Sequence, residues 1–153
     1  MSLLSASLSG LSTREAIVDS LYRTLNAFDH NDPALFSSSF TDDAHMDLGG
    51  RVMDGKETIH NECFDPVSKL DTSHYPTVVR VDVKSETTAS LTANVLAQHF
   101  KTEEGLADGS PHLLAGAFYY VDYVKDATDG LWKAKNWTIE FCWRQGEPNI
   151  LGL

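Results

Sequence analysis

Positive charge is scarce in this sequence. Its 153 residues include 12 lysines and arginines against 22 aspartates and glutamates, which gives a formal net charge of −10. Proteins that bind nucleic acids present a basic stripe to the phosphates, and anionic membranes attract basic segments. The charge balance therefore argues against both kinds of partner, and the acidity is better explained as an aid to solubility.

Long apolar runs are missing as well. The longest apolar stretch, Leu113–Val121, is too short to cross a bilayer. Residues 1–10 have neither the basic start nor the long apolar centre of a secretory signal. The two cysteines, Cys63 and Cys142, are more often free thiols in a reducing compartment than a disulfide when such a signal is lacking. We therefore expect a cytoplasmic protein.

The sequence also lacks histidines at the spacing that is typical of metal ligands. The six histidines are scattered without a pattern such as His-x-x-x-His, so no metal site is expected. What remains is an ordinary globular composition, with 42% hydrophobic and 22% charged residues, which fits one domain with a real core. We expect that domain at residues 12–145, between a loose N-terminal arm at 1–11 and a C-terminal tail at 146–153.

The first predicted helix begins at a capping box, since Ser12 is followed three residues later by Glu15. Its inward residues form two overlapping stripes at helical spacing, Ile17, Leu21, Leu25 and Phe28, and Val18, Tyr22, Leu25 and Asp29. Asp32 followed by Pro33 already caps the next short helix. Asp29 is therefore left without a capping role at the end of an apolar stripe, which favours a functional role.

A short strand and a broken helix are expected in the middle of the chain. Asp42-Asp43 and Gly49-Gly50 are typical of turns on either side of a strand at Ala44–Leu48. Gly55–Leu70 has a helical pattern, and Asp65-Pro66 is expected to break it into two pieces.

Long strands dominate the rest of the chain. His74 enters a strand that is β-rich over Val78–Lys84, and a hairpin turn follows at Ser85–Thr88. The next strand places small and apolar residues on one face: Ala89, Leu91, Ala93, Val95, Ala97 and His99. Two more strands are expected at Leu113–Lys125 and Leu131–Arg144.

Helices followed by long antiparallel strands predict an α+β fold. The helices pack on one face of a strongly curved sheet, which makes a cone with an open apolar pocket. Asp29, His74 and His99 each have the phase of a residue that faces the inside of this cone. Because buried polar groups are tolerated only when paired, an inward trio points to a polar site in an apolar cup.

Five short motifs follow one another from the first helix to the last strand: Phe28-Asp29-His30-Asn31-Asp32, Thr72-Ser73-His74-Tyr75, Gln98-His99, Asp129-Gly130-Leu131-Trp132-Lys133, and Trp143 before Gly146-Glu147. In order and spacing they resemble the SnoaL-like and scytalone dehydratase-like members of the cone-shaped α+β (nuclear transport factor 2-like) superfamily. The resemblance implies that Asp29, His74 and His99 are catalytic. It also implies that Asp29 orients His99, with His74 as a second acid-base group.

The chain departs from the scytalone dehydratase pattern at the groups that hold the substrate carbonyl. That family has tyrosines where this chain has Phe28 and Leu48, so scytalone itself is not the expected substrate. A substitute hydrogen-bond donor is expected among four residues: Tyr22, Tyr119, Tyr120 and Arg144. Related bile-acid dehydratases use an arginine in the last strand that resembles Arg144.

Three functions remain open at this point. The first is a dehydratase without a cofactor, which eliminates water from a small, hydrophobic, cyclic hydroxy-carbonyl metabolite of polyketide or terpenoid type. The second is an isomerase or cyclase of a similar skeleton that uses the same enolate chemistry. The third is a non-catalytic binding module, in which the trio is hydrogen-bonded core.

Two further expectations concern assembly and the tail. The resembled dehydratases are trimers and the isomerases are dimers, so a homo-oligomer of either kind is expected. The tail at Pro148–Leu153 is expected to lie over the pocket mouth.

Overall fold

A long helix and a curled sheet make up most of the chain in the computed structural model, which describes residues 3–152. Met1 and Ser2 of the expected arm and Leu153 of the expected tail lie outside the described residues. Helix α1 spans Thr13–Asp29 and begins with the predicted capping box. The Ser12 hydroxyl accepts a hydrogen bond from the Glu15 N–H, and the Glu15 carboxylate accepts one from the Ser12 N–H at 2.7 Å.

The remaining elements follow in chain order. Helix α2 is Pro33–Ser37, and the Asp32 side chain caps it as predicted. The others are β1 at Phe40–Leu48, β2 at Arg51–Asp54, α3 at Lys56–Ile59, a π-helical turn at His60–Phe64, α4 at Asp65–Ser68, β3 at Asp71–Val83, β4 at Thr88–Phe100, β5 at His112–Lys125, β6 at Trp132–Gly146, and a 3-10 turn at Pro148–Leu151.

The six strands form one sheet in the order β2-β1-β6-β5-β4-β3. The expected antiparallel meander runs from β3 through β6. Strand β1 joins it parallel to β6, which the sequence did not indicate. The α+β fold with a curled sheet over the N-terminal helices is therefore confirmed, with one parallel strand pair added.

Strand β4 shows why the sheet can hold a core on its concave side. Its residues alternate strictly between buried and more exposed positions from Thr88 onward. Ala89, Leu91, Ala93, Val95, Ala97 and His99 are all buried. They face α1, whose Ile17 and Leu21 are completely buried. Because the inward side chains of β4 are mostly small, the space under the helix is not filled.

Three local predictions were wrong for identifiable reasons. Asp42-Asp43 lies inside β1 rather than in a turn, at a point where the pairing with β6 shifts register. Strand β2 was missed because it has only four residues. The helical segment continues through Asp65-Pro66, because a π-helical turn passes directly into α4 there and Pro66 lies at the first positions of α4, where proline is tolerated.

The convex side of the sheet carries exposed apolar side chains on three neighbouring strands: Leu96 on β4, Phe118 and Tyr120 on β5, and Trp143 on β6. The expected homo-oligomer stays a prediction. Within residues 3–152, none of the helices has the length and apolar character needed to span a membrane.

Candidate active site

An apolar cavity lies between α1 and the concave face of the sheet. It measures about 660 Å³, including the open space at its mouth. Most of its wall is aliphatic and aromatic, with Val95, Ala97 and Ala117 on the sheet side and Phe28 on the helix side. His74, His99 and Tyr119 bring polar atoms to this wall. The sequence predicted such a cup, and the structure contains it.

Asp29 and His74 form a hydrogen-bonded pair at the edge of the cavity. The Nδ1 of His74 lies 2.6 Å from the Asp29 Oδ1, and the backbone N–H of His74 donates to the other carboxylate oxygen at 2.9 Å. The His74 side chain is only 8% exposed and the Asp29 side chain 17%. Because an ionised carboxylate only accepts, Nδ1 carries the proton and Nε2 keeps its lone pair. A neutral His74 therefore presents Nε2 as a hydrogen-bond acceptor.

The pair depends on where α1 ends. Asp29 is the last residue of α1, so its side chain reaches beyond the helix to β3. The two elements pack against each other, and the Phe28 ring lies 6.1 Å from the His74 ring. The imidazole is oriented with Nδ1 toward the carboxylate.

His99 lies beside this pair but does not bond to Asp29. Its Nδ1 is 2.7 Å from the hydroxyl of Thr72, its direct cross-strand partner on β3. Its ring centre is 5.5 Å from that of His74. Burial, and secondarily the neighbouring His74, lowers the pKa of His99 to about 3. His99 therefore stays neutral, and the expected pairing of Asp29 with His99 is wrong: the carboxylate holds His74 instead.

Tyr119 supplies a hydroxyl to the cavity. The residue is buried on β5 and lines the cavity wall. No side chain or backbone group within residues 3–152 bonds to its hydroxyl. Burial raises the pKa of Tyr119, and the neighbouring Cys63 and Asp29 add to that effect. The phenol therefore keeps its proton and is available as a hydrogen-bond donor.

The other expected carbonyl-holding residues lie elsewhere. Tyr22 is 42% exposed and lines a surface recess on the outer side of α1 together with Val18 and Asp19, whereas Leu25 of the same stripe is buried at the cavity. Tyr120 is exposed on the convex side of the sheet. Arg144 is exposed at a recess beside the cavity mouth. Of the four candidates, the structure brings only Tyr119 into the cavity.

One residue at the site escaped sequence reasoning, and three that the sequence analysis had already considered lie on the cavity wall. Thr72 lies two positions before His74 and therefore on the same face of β3, a spacing that predicts its role as a neighbour of the histidines. Leu151, in the 3-10 turn, lines the cavity, so the tail reaches the mouth as expected. Phe28 and Leu48, which replace the tyrosines of the resembled family, are both on the wall.

Both cysteines are free, and one of them lines the cavity. Burial raises the pKa of the Cys63 thiol to about 12, so the thiol is not a nucleophile at neutral pH. Cys142 is exposed on the opposite side of the sheet. Among residues 3–152, no group of three or more His, Cys, Asp or Glu side chains is arranged to hold a metal ion.

Comparisons with known proteins agree with this architecture. A family model described as a SnoaL-like domain matches residues 9–138. The terrestric acid biosynthesis cluster protein E of Penicillium crustosum is 45% identical over 142 residues, which cover 93% of this chain and 91% of that protein.

Two solved structures share the fold at lower identity. A putative scytalone dehydratase from Novosphingobium aromaticivorans has a TM-score of 0.76 at 21% identity, covering 88% of this chain and 87% of that one. A hexachlorocyclohexane dehydrochlorinase from Novosphingobium barchaimii has a TM-score of 0.70 at 23% identity, covering 90% and 92%. At these identities the likeness concerns the fold.

Proposed function

The chain belongs to the SnoaL-like family, and from that premise we propose that it is a cofactor-independent dehydratase acting on a small cyclic hydroxy-carbonyl compound. The observation that carries the proposal is the Asp29–His74 pair, whose Nδ1 to Oδ1 distance is 2.6 Å, beside an apolar cavity. It gives the cavity a base of fixed tautomer.

His74 takes the proton next to the substrate carbonyl. Its Nε2 carries the lone pair, and the imidazolium that forms is stabilised by the Asp29 carboxylate through Nδ1. A histidine suits this task because its reference pKa of about 6.5 lies near working pH. The carboxylate remains ionised throughout and acts by orientation and charge.

Tyr119 holds the carbonyl oxygen while the enolate exists. Its neutral phenol has no other partner in the described part of the chain and projects from an apolar wall. A hydrogen bond to a developing oxyanion is stronger in such surroundings than in water. Asp29, whose charge acts on Tyr119, helps to keep the phenol protonated.

The same histidine completes the elimination. The enolate electrons form the carbon–carbon double bond as the bond from the β-carbon to its hydroxyl breaks. The imidazolium of His74 returns its proton to the departing hydroxyl, which leaves as water. The reaction therefore consumes no net proton and needs no second charged acid. His99 stays neutral beside it and can donate or accept a hydrogen bond through its free nitrogen.

The names of the relatives support this class of chemistry. Dehydration and dehydrochlorination both remove a proton from one carbon and a leaving group from the next, and both names occur among the chains that share the fold. The 45% identical relative is named for a biosynthesis cluster, which fits a metabolite as the substrate.

An isomerase is the second candidate, because its chemistry also needs only the Asp29–His74 pair and the apolar cavity. With one histidine kept neutral, His74 is left as the single proton carrier, and a single carrier suffices to move a proton from one carbon to another. Dehydration needs the same carrier to reach the hydroxyl oxygen instead.

Two probes that give one product distinguish these candidates. 3-Hydroxycyclohexanone becomes cyclohex-2-enone by losing water, and cyclohex-3-enone becomes the same product by isomerisation. We expect the protein to accelerate the first reaction, and His74→Ala to return the rate to that of buffer. Acceleration of only the second reaction would make the protein an isomerase. Equal rates for the protein, His74→Ala and buffer with both probes would contradict catalysis and favour a binding module.

A further inference from the structure

A second recess opens beside the mouth of the cavity, and the two share a wall. The recess is lined by Arg51, Arg144 and Pro148 together with three residues that also line the cavity, Leu48, Phe141 and Leu151. These three side chains form a neck between the two spaces. A ligand seated at His74 and longer than the cavity extends through this neck into the recess.

Arg144 stands at the recess with its charge unmatched. Within residues 3–152 no carboxylate lies within ion-pair distance of it, in a chain with a net charge of −10. Its guanidinium lies over the Phe141 ring, 5.8 Å from the ring centre. A cation held over an aromatic face is positioned without using its N–H groups. Those donors are therefore free to bind an anion.

Arg51 faces the same recess from β2. It is not free in the same way, because its Nη2 donates to the Glu62 carboxylate at 2.9 Å. Its positive charge is also felt by the Cys63 thiol on the cavity wall. The guanidinium therefore lies near both spaces and adds to the positive potential between them.

The turn between β1 and β2 is shaped to the neck. Gly49 has a φ of +60°, and a Cβ at this position would lie 2.9 Å from the Phe141 ring. Any larger residue would displace the ring over which Arg144 is held. The position of the Phe141 ring, and with it that of Arg144 at the recess, therefore depends on a glycine at position 49.

We infer that the cavity and the recess are two halves of one binding site, which takes a substrate that carries a carboxylate at the end remote from its reacting carbons. Guanidinium groups pair with carboxylates through parallel hydrogen bonds, a geometry that ammonium groups do not match. The apolar cavity takes the ring, and Arg144, assisted by Arg51, takes the anion. The inference rests on the proposed function for the choice of which end reacts.

Binding of two matched ligands tests this site without turnover. 2-Naphthoate and 2-naphthamide share one ring system and differ in charge, so calorimetry of both isolates the contribution of the anion. We expect the naphthoate to bind about tenfold more tightly, which corresponds to about 1.4 kcal/mol. The preference should shrink with added salt, because the recess is exposed to solvent.

Substitution assigns the preference to the recess. Arg144→Gln should abolish most of it and leave the affinity for the naphthamide unchanged, and Arg51→Gln should reduce it in part. Arg80→Gln is the matched control, because Arg80 is an exposed arginine on the far edge strand β3, and it should keep the full preference.

Three results would overturn the inference: equal affinity for the two ligands, binding of neither, or an Arg144→Gln variant that weakens both alike. The outcome is independent of the catalytic proposal. If His74→Ala kept full turnover while the naphthoate preference stood, the proposed mechanism would fail and the anion site would remain. If turnover depended on His74 but the naphthoate bound no more tightly than the naphthamide, the proposed mechanism would stand and the anion site would fail.

Discussion

The carboxylate of Asp29 holds His74 at two points, accepting from the ring Nδ1 at 2.6 Å and from the backbone N–H at 2.9 Å. The first contact fixes the tautomer of the imidazole, and the second fixes the strand that carries it. One carboxylate at the end of α1 thereby sets both the tautomer and the position of the imidazole.

Asp29→Asn should lower turnover by about 100-fold or more while the protein stays folded. The amide can still accept from the backbone, but its NH₂ group then faces Nδ1. His74 is driven to the tautomer with a proton on Nε2, and the base is lost. Steady-state kinetics with a turned-over probe such as 3-hydroxycyclohexanone, together with circular dichroism, measures both effects.

The chain offers a matched control for this substitution. His45 and Asp54 form a second pair with the same 2.6 Å distance, but on the surface. Asp54→Asn should therefore leave turnover unchanged. Equal rates for Asp29→Asn and the unsubstituted protein would show that the buried pair is structural.

The start of helix α1 and the inward face of strand β4 were predictable from the sequence, because both depend on residues that are close together in the chain. The capping box at Ser12 and the alternation of β4 are properties of neighbouring residues, and both appear in the structure as expected. The same reasoning placed Asp29, His74 and His99 on the inside.

Partners across elements were not predictable in the same way. Helical or strand phase says which face a residue occupies, and the partner depends on how β3 and α1 meet in space. The family resemblance implied that Asp29 orients His99, whereas the register places Thr72 opposite His99 and Asp29 bonds to His74. Arg51 gave no signal, because a four-residue strand brings it to the recess.

Tyr119→Phe should reduce turnover by about 100-fold with a small change in stability. The substitution removes one hydrogen-bond donor to the oxyanion and keeps the aromatic packing of Tyr119 on Trp137. Tyr120→Phe is the control. Tyr120 is the next residue along β5 and faces the convex side of the sheet, so this variant should keep full activity. If the two variants were equally active, the oxyanion donor would have to be another group.

The free energy of unfolding should decrease as the pH falls from 6.5 toward 3, because the buried His99 resists protonation in the folded protein. Its pKa is about 3 in the folded protein, against an ordinary value of 6.5. Between these values the unfolded chain binds a proton that the folded protein does not, so unfolding becomes more favourable as pH decreases. The contribution is fully present above pH 6.5 and is lost by up to about 1.4 kcal/mol per pH unit below it.

Urea unfolding at several pH values between 4 and 7 measures this contribution. His99→Gln lacks the titrating group and should show a shallower dependence of the unfolding free energy on pH. His30→Gln, at an exposed position, is the matched control and should behave like the unsubstituted protein. Identical pH dependences for the His99 and His30 variants would contradict the buried neutral state of His99.

Leu151→Ala should weaken substrate binding and change the chemical step less. The 3-10 turn follows Gly146, which has a φ of +102° and where an added Cβ would lie 2.0 Å from the carbonyl oxygen of His112. Leu151 then closes part of the cavity wall. We expect KM to rise severalfold with kcat nearly constant. Leu106→Ala, at a fully exposed leucine, is the control, and a fall in kcat at constant KM would contradict a closing role.

Association of this chain with itself should depend on the convex side of the sheet. Phe118, Tyr120 and Trp143 leave 37%, 45% and 45% of their surface exposed on two adjacent strands, and a second copy of the chain would remove this apolar surface from water. Light scattering should therefore give a mass of two or three chains of 16.9 kDa.

Phe118→Glu places a carboxylate in the middle of this surface and should shift the protein to the monomer, because a buried unpaired charge costs several kcal/mol. Val52→Glu adds the same charge to an exposed position on the edge strand β2 and should leave the mass unchanged. A monomeric unsubstituted protein at all concentrations, or an oligomer that survives Phe118→Glu, would mean that this surface does not mediate association.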